Sequence, residues 1–262
     1  SLDGLDLWAA ISGNVRVPGI RIEVPPVIEG SAEVPIGAPL KSIVRAAVSG
    51  PNRLILEAGH APFAVEDLTG PWVLENGLVS TPSMSGRTLN GSVSFSGWAG
   101  PAGAGGQEGK PGFGLSLALK DAAVAAVNPV IGRAGDPRGT LSLDFHGGGM
   151  PTLAGVWGWG GLRADGTHFE GMPVFSALGD LFRLFSPAFG SDAMTGLALD
   201  YALAGGVLRA SRCVLNVSLF TVETRGDIDL VQRLLAVRGT VRTRGLTGLA
   251  TAILGQLLEI EA

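Results

Sequence analysis

Cysteine and lysine are nearly missing from this chain, and each shortage excludes something. Cys213 stands alone, so no internal disulfide can form. In an apolar stretch it reads as a small buried hydrophobe rather than a nucleophile. Cysteine poverty is compatible with an oxidising compartment. Three lysines accompany 16 arginines, and the net charge is −4. No basic block or basic helix occurs, so counterion release has nothing to drive it and no nucleic-acid partner is expected. Charged residues make up 16% of the chain, against roughly 25% in ordinary globular proteins. Three histidines, His60, His146 and His168, form no HExxH arrangement, and a single cysteine completes no zinc pattern. No metal or cofactor is expected. Long apolar runs are missing too: none reaches the roughly 18–20 residues of a membrane span, and no signal peptide is recognisable. The chain begins on Ser1 rather than Met. It is therefore expected to be an excised or processed piece of a longer protein, membrane-associated through parts outside it.

What the chain has in abundance is glycine, proline and apolar side chains. It holds 41 Gly, 16 Pro and 46% hydrophobic residues in 262, with mean hydropathy +0.35. That hydropathy excludes general disorder. Gly and Pro punctuate short apolar runs along the whole length, the mark of many strands joined by tight turns.

Period two dominates. Phe113, Leu115, Leu117 and Leu119 alternate with Gly114, Ser116, Ala118 and Lys120. Leu141, Leu143 and Phe145 alternate with Ser142, Asp144 and His146, and Leu197, Leu199, Tyr201 and Leu203 with Ala198, Asp200 and Ala202. Ile20, Ile22 and Val24 follow the same rule. Alternation places one set of side chains on each face of a sheet, a pattern of antiparallel sheets with one solvated side. Asn76-Gly77, Asn90-Gly91, Asp165-Gly166 and Gly205-Gly206 are hairpin-turn dipeptides. The predicted fold is mainly β: an extended, curved antiparallel sheet with a hydrophobic inner face, capped by about three short helices. These are expected near 121–128, with Asp121 as N-cap and a stop before Pro129, near 173–186 and near 246–258. The helices cap or plug the sheet; in a sharper reading Leu178, Leu181, Phe182 and Phe185 form a helix that gates a lipid groove. Residues 1–99 read as an N-terminal β segment, 100–112 as a Gly-rich loop or linker, and 113–262 as a C-terminal β segment. Alternation resumes at once after 112, which favours a loop.

Catalytic signatures fail one by one. A phosphate-binding loop would need Gly where Ala104 stands and a hydroxyl residue where Pro111 follows Lys110. Gly158 and Gly160 lie in a β context with no following helix. No GxSxG elbow is present. His168 and Glu170 read as residues flanking a turn, and Asp227 and Asp229 lack the further oxygens of a calcium site. The chain is not expected to be an enzyme. Trp157 and Trp159 share a strand face; such a pair lines a sugar or lipid groove or fills a core, and core filling is the expectation.

From about Leu115 to Gly245 the chain resembles the C-terminal region of AsmA-like envelope proteins, relatives of TamB. The resemblance rests on Leu119-Lys-Asp-Ala-Ala-Val124, Gly139-Thr-Leu-Ser-Leu143, Gly158-Trp-Gly-Gly-Leu-Arg-Ala-Asp-Gly166, Met172 to Leu181, Gly205-Gly-Val-Leu208 and Gly226-Asp-Ile-Asp-Leu230, in that order. Phe63-Ala-Val-Glu-Asp-Leu-Thr-Gly70 and Asn76-Gly-Leu-Val79 look like a further round of the same repeat. The Gly-rich stretch and the short chain depart from the family. The resemblance implies a β-taco sheet in the periplasm of a Gram-negative bacterium, anchored to the inner membrane in the full-length protein. It also implies lipid transport, outer-membrane biogenesis and envelope homeostasis. Its partner would be a phospholipid or another envelope lipid, held in a trough lined by Leu115, Leu117, Leu141, Leu143, Phe145, Leu197, Leu199, Tyr201, Leu203, Leu215, Val217 and Leu219. Two other readings stay open: a structural or secretion-assembly module docking another envelope protein through a sheet edge, and a carbohydrate-binding β protein using Trp157 and Trp159.

Overall fold

A computed structural model describes residues 19–33, 35, 42–57, 60–100, 112–132, 138–150, 152–166, 194–217, 220–232, 234–243 and 257–260. The fold is one long, curved, open antiparallel sheet. Its strands are β1 (Ile20–Val24), β2 (Val27–Glu33), β3 (Ile43–Ser49), β4 (Arg53–Leu56), β5 (Phe63–Glu75), β6 (Leu78–Thr88), β7 (Gly91–Gly100) and β8 (Gly112–Ala123). A helix, α1 (Val124–Val130), follows directly. The sheet continues with β9 (Thr140–Gly149), β10 (Val156–Asp165), β11 (Met194–Ala204), β12 (Val207–Val217), β13 (Phe220–Asp229), β14 (Leu234–Thr243) and β15 (Leu257–Ile260).

From β5 onward each strand pairs with its successor, so that half of the molecule is a meander. The thirteen-residue β5 is long enough to hold two partners: β4 pairs with its first half and β3 with its second. The sheet therefore forks, ending in β4–β1 on one arm and β3–β2 on the other. Gly100 pairs with Gly112, so β7 and β8 are direct neighbours on either side of 101–111. The hydrogen-bonded ladder crosses that stretch without interruption.

Bulges punctuate the strands. One in β8 lies between Leu119 and Ala122, where Asp121 has φ 54°; another in β12 lies between Ala210 and Cys213. Each extra residue bends its strand and raises the local twist, which curves a wide sheet. In β5 the bulge at Asp67, φ 51°, is held by a side chain. Asn52 donates from Nδ2 to the Gly50 and Leu68 carbonyls and accepts from the Leu68 N–H at Oδ1.

Two details differ from the expected pattern. Among the described residues there is one helix, not about three, and α1 is displaced from 121–128. Asp121 belongs to β8, the N-cap is Ala123 without a side-chain cap bond, and Pro129 lies within the last turn. Proline has no hydrogen to donate, and the helix ends one residue later, at Val130. The helix expected near 173–186, with Leu178, Leu181, Phe182 and Phe185, lies outside the described residues. Of the stretch 246–258, residues 257 and 258 belong to β15, paired with β14; the rest also lies outside them.

Candidate functional site: an apolar sheet face closed at one end

Directly paired residues in an antiparallel sheet project to the same face, so the register assembles the face strand by strand. Ala122, Leu141, Ala164, Leu197, Leu215 and Val222 form one row across β8 to β13. Leu119, Leu143, Leu162, Leu199, Cys213 and Thr224 form the next, then Leu117, Phe145, Gly160, Tyr201, Ala210 and Gly226. A fourth row holds Leu115, Gly147, Gly158, Leu203, Leu208 and Ile228. Ten of the twelve trough candidates, Leu115 to Leu215, thus fall on one face. Val217 continues β12 toward its pair Phe220, and Leu219 lies outside the described residues. No Asp, Glu, Lys or Arg falls on the inner face of β7 to β14 among the rows these registers define. Seven strand spacings of about 4.8 Å and four rows give a face on the order of 34 Å across and 20 Å along the strands.

Burial is graded along the strands. The first row is nearly dry, between 0 and 8% exposed, and clusters with Val124 of α1. The apolar side chains of the other three rows are only half-buried. The face is therefore dry at the α1 end and half-buried toward the turns at the other. On α1, Asn128 stands one turn beyond Val124, so the two share a helix face. Asn128 is buried, and among the described residues its Oδ1 has no hydrogen-bond partner.

Glycine shapes the floor. The Tyr201 ring crosses strand β10 at Gly160 to donate its hydroxyl proton to the Asp144 carbonyl at 3.0 Å. A Cβ at Gly160 would run into that carbonyl and stand 2.9 Å from the Tyr201 hydroxyl. Phe145 lies over Gly147 and Gly158 in the same way. Two aromatic rings thus lie along the sheet over these glycines rather than standing up from it. Desolvation, then the Asp144 charge, pushes the Tyr201 hydroxyl above its ordinary pKa. Burial likewise pushes up the Cys213 thiol, against a smaller lowering by its hydrogen bond to Thr224.

The opposite face is polar. Ion pairs link Arg53 to Glu23 and Glu66, Arg209 to Asp227, and Arg242 to Glu223. Asp227 is thus engaged with Arg209 instead of making a cation site with Asp229. Trp157 and Trp159 also project here, and each is 57% exposed. The core-filling expectation for them is overturned. Their strand positions place them opposite the apolar rows, and Trp159 instead stacks on His146 at 4.4 Å between ring centroids. His146 in turn shares a 2.8 Å hydrogen bond with Ser116. The alternation of side chains was visible in the sequence; which face each tryptophan takes needed the register.

Among the described residues no three His, Cys, Asp or Glu side chains gather as a metal site, and no helix is long and apolar enough to cross a membrane. Comparison with protein-family models, with curated proteins and with solved structures finds no match in any of the three.

Proposed function

We propose that this chain is a non-catalytic, lipid-handling segment of an envelope protein, and that it holds acyl chains along the inner face of the sheet. The observation that carries the reading is the charge-free apolar face, dry at one end and half-buried over its other three rows. Its length of about 20 Å along the strands suits a single acyl chain, which spans half of a ~30 Å hydrocarbon core. Each buried methylene contributes about 0.8 kcal/mol, so a chain binds there without specific polar contacts. On this reading the protein works in the periplasm of a Gram-negative bacterium, in lipid transport between membranes, consistent with its resemblance to AsmA-like proteins.

Titration with a fluorescent fatty acid, whose emission rises in apolar surroundings, tests this. The expected result is saturable binding, displaced by phospholipid, and weakened at least about tenfold by Leu199→Asp, a loss of about 1.4 kcal/mol. Leu203→Asn, milder and nearer the open end, is expected to weaken binding less while keeping the native circular dichroism spectrum. No saturable binding by the folded wild-type chain would reject the proposal.

A further inference from the structure

We infer that the open end of the sheet docks on a lipid bilayer, with three neighbouring turns inserted into its surface; the inference rests on the trough reading above. The turns are the 3-10 turn Leu153–Gly155 between β9 and β10, Gly205–Gly206 between β11 and β12, and Leu230–Gln232 after β13. They form one contiguous tip. The Leu230 N–H donates to the Gly206 carbonyl at 2.9 Å, and a Cβ at Gly206 would meet the Val231 side chain and the Ala154 Cα.

The distribution of exposed apolar residues singles this tip out. Among the described residues eleven large hydrophobic side chains are exposed: four lie on β1 and β2, one is Ile131 beside α1, and six lie toward the turn end. Those six are Val79, Leu153, Trp157, Trp159, Leu230 and Val231. Leu153, Leu230 and Val231 occupy the turns themselves. Trp157 stands at the second paired position of β10, after Val156, and Trp159 one side-chain row, about 7 Å, further in. The row of Trp159 also carries the Arg209–Asp227 ion pair, and beyond it the face carries Asp144, Arg163 and Asp200. An aliphatic tip, then tryptophan beside an ion pair, then further charge follows a bilayer surface from acyl boundary through headgroups to water. An insertion of about 5–10 Å covers the first two layers.

Charge is consistent with this depth order. None of the described residues in the three turns, Met150, 152–155, 205–206 and 230–232, is Asp, Glu, Lys or Arg. The adjacent Asp229 has one oxygen occupied by the Val231 and Gln232 N–H groups. The tip is also continuous with the trough: Leu203, Leu208 and Ile228 form the inner row nearest these turns. A lipid lifted at the tip meets apolar side chains at once and slides tail-first toward the dry α1 end.

Sedimentation with phosphatidylethanolamine–phosphatidylglycerol vesicles is the test, with the fatty-acid titration run in parallel on the same proteins. Wild type is expected to partition to the vesicles, and brominated lipids are expected to quench its tryptophan emission. The double variant Leu153→Asp/Val231→Asp, at exposed positions, is expected to lower the partition coefficient at least tenfold while fatty-acid affinity stays unchanged. In Trp157→Phe/Trp159→Phe most of the bromine quenching is expected to disappear. Wild type left in the supernatant, or equal partition of the aspartate variant, overturns the inference. So does a response of tryptophan emission to soluble oligosaccharides without vesicle binding, which would assign the tryptophans to glycan. Absence of fatty-acid binding with vesicle partition intact rejects the trough and leaves the docking tip supported.

Discussion

Burial raises the pKa of both Tyr201 and Cys213, and each is the sole residue of its type in the chain. The fold favours the neutral form of each, so the folded chain keeps these protons to higher pH than the unfolded chain. Their contribution to stability is complete below about pH 9 and is lost as pH rises through the ordinary values, 9.0 for the thiol and 10.0 for the phenol, and beyond. Urea midpoints from pH 8 to 11 are expected to fall for wild type and to fall less steeply for Tyr201→Phe/Cys213→Ala. Equal slopes would contradict the placement of these groups on a desolvated face. The phenolate absorbance reports Tyr201 without interference from any other tyrosine. None of this was legible in the sequence, where Tyr201 was one position in an alternating run. Its hydroxyl bond to the Asp144 carbonyl depends on a strand-crossing that only the register of β9, β10 and β11 creates.

Elements built on local periodicity were readable, and those set by tertiary context were not. The alternation in 113–119, 141–145 and 197–203 became β8, β9 and β11 because each strand has one apolar and one polar face. Asn76-Gly77 and Gly205-Gly206 are turns with positive φ at both positions, as right-handed strand twist requires. At the next hairpin the turn is Leu89-Asn90, with Gly91 already paired to Thr88. The dipeptide signal was real, but the register shifted it by one. Asp165-Gly166 ends β10 without forming a two-residue hairpin. The bulges left no trace in composition, since Lys120-Asp121 and Ser211-Arg212 look like ordinary strand polar positions. The Asn52 side chain holds the bulge in β5, and its loss leaves the Leu68 N–H and two carbonyls without their partner. Asn52→Ala is expected to cost about 2 kcal/mol, read as a lower urea midpoint with an unchanged m-value. A change under about 0.5 kcal/mol would show that the bulge stands without it.

At the scale of the whole molecule, the meander sums weak local preferences into one face without charge, and among the described residues the one helix lies at one end of it. The sequence carried the amphipathic pattern of the strands. It did not carry the gradient of burial along them, from a nearly dry row that clusters with Val124 to three half-buried rows. Nor did it carry the segregation of Trp157 and Trp159 to the polar side. A sheet of this kind leaves its apolar rows to water, to another surface or to lipid, and the acyl chain is the occupant that needs no matching polar groups. Native mass spectrometry of the chain purified from bacterial envelopes without detergent measures the occupant directly. The account predicts mass increments of whole phospholipids, which disappear on organic extraction and diminish in Leu199→Asp. A folded chain that carries no lipid, and takes none up when offered it, would contradict the account.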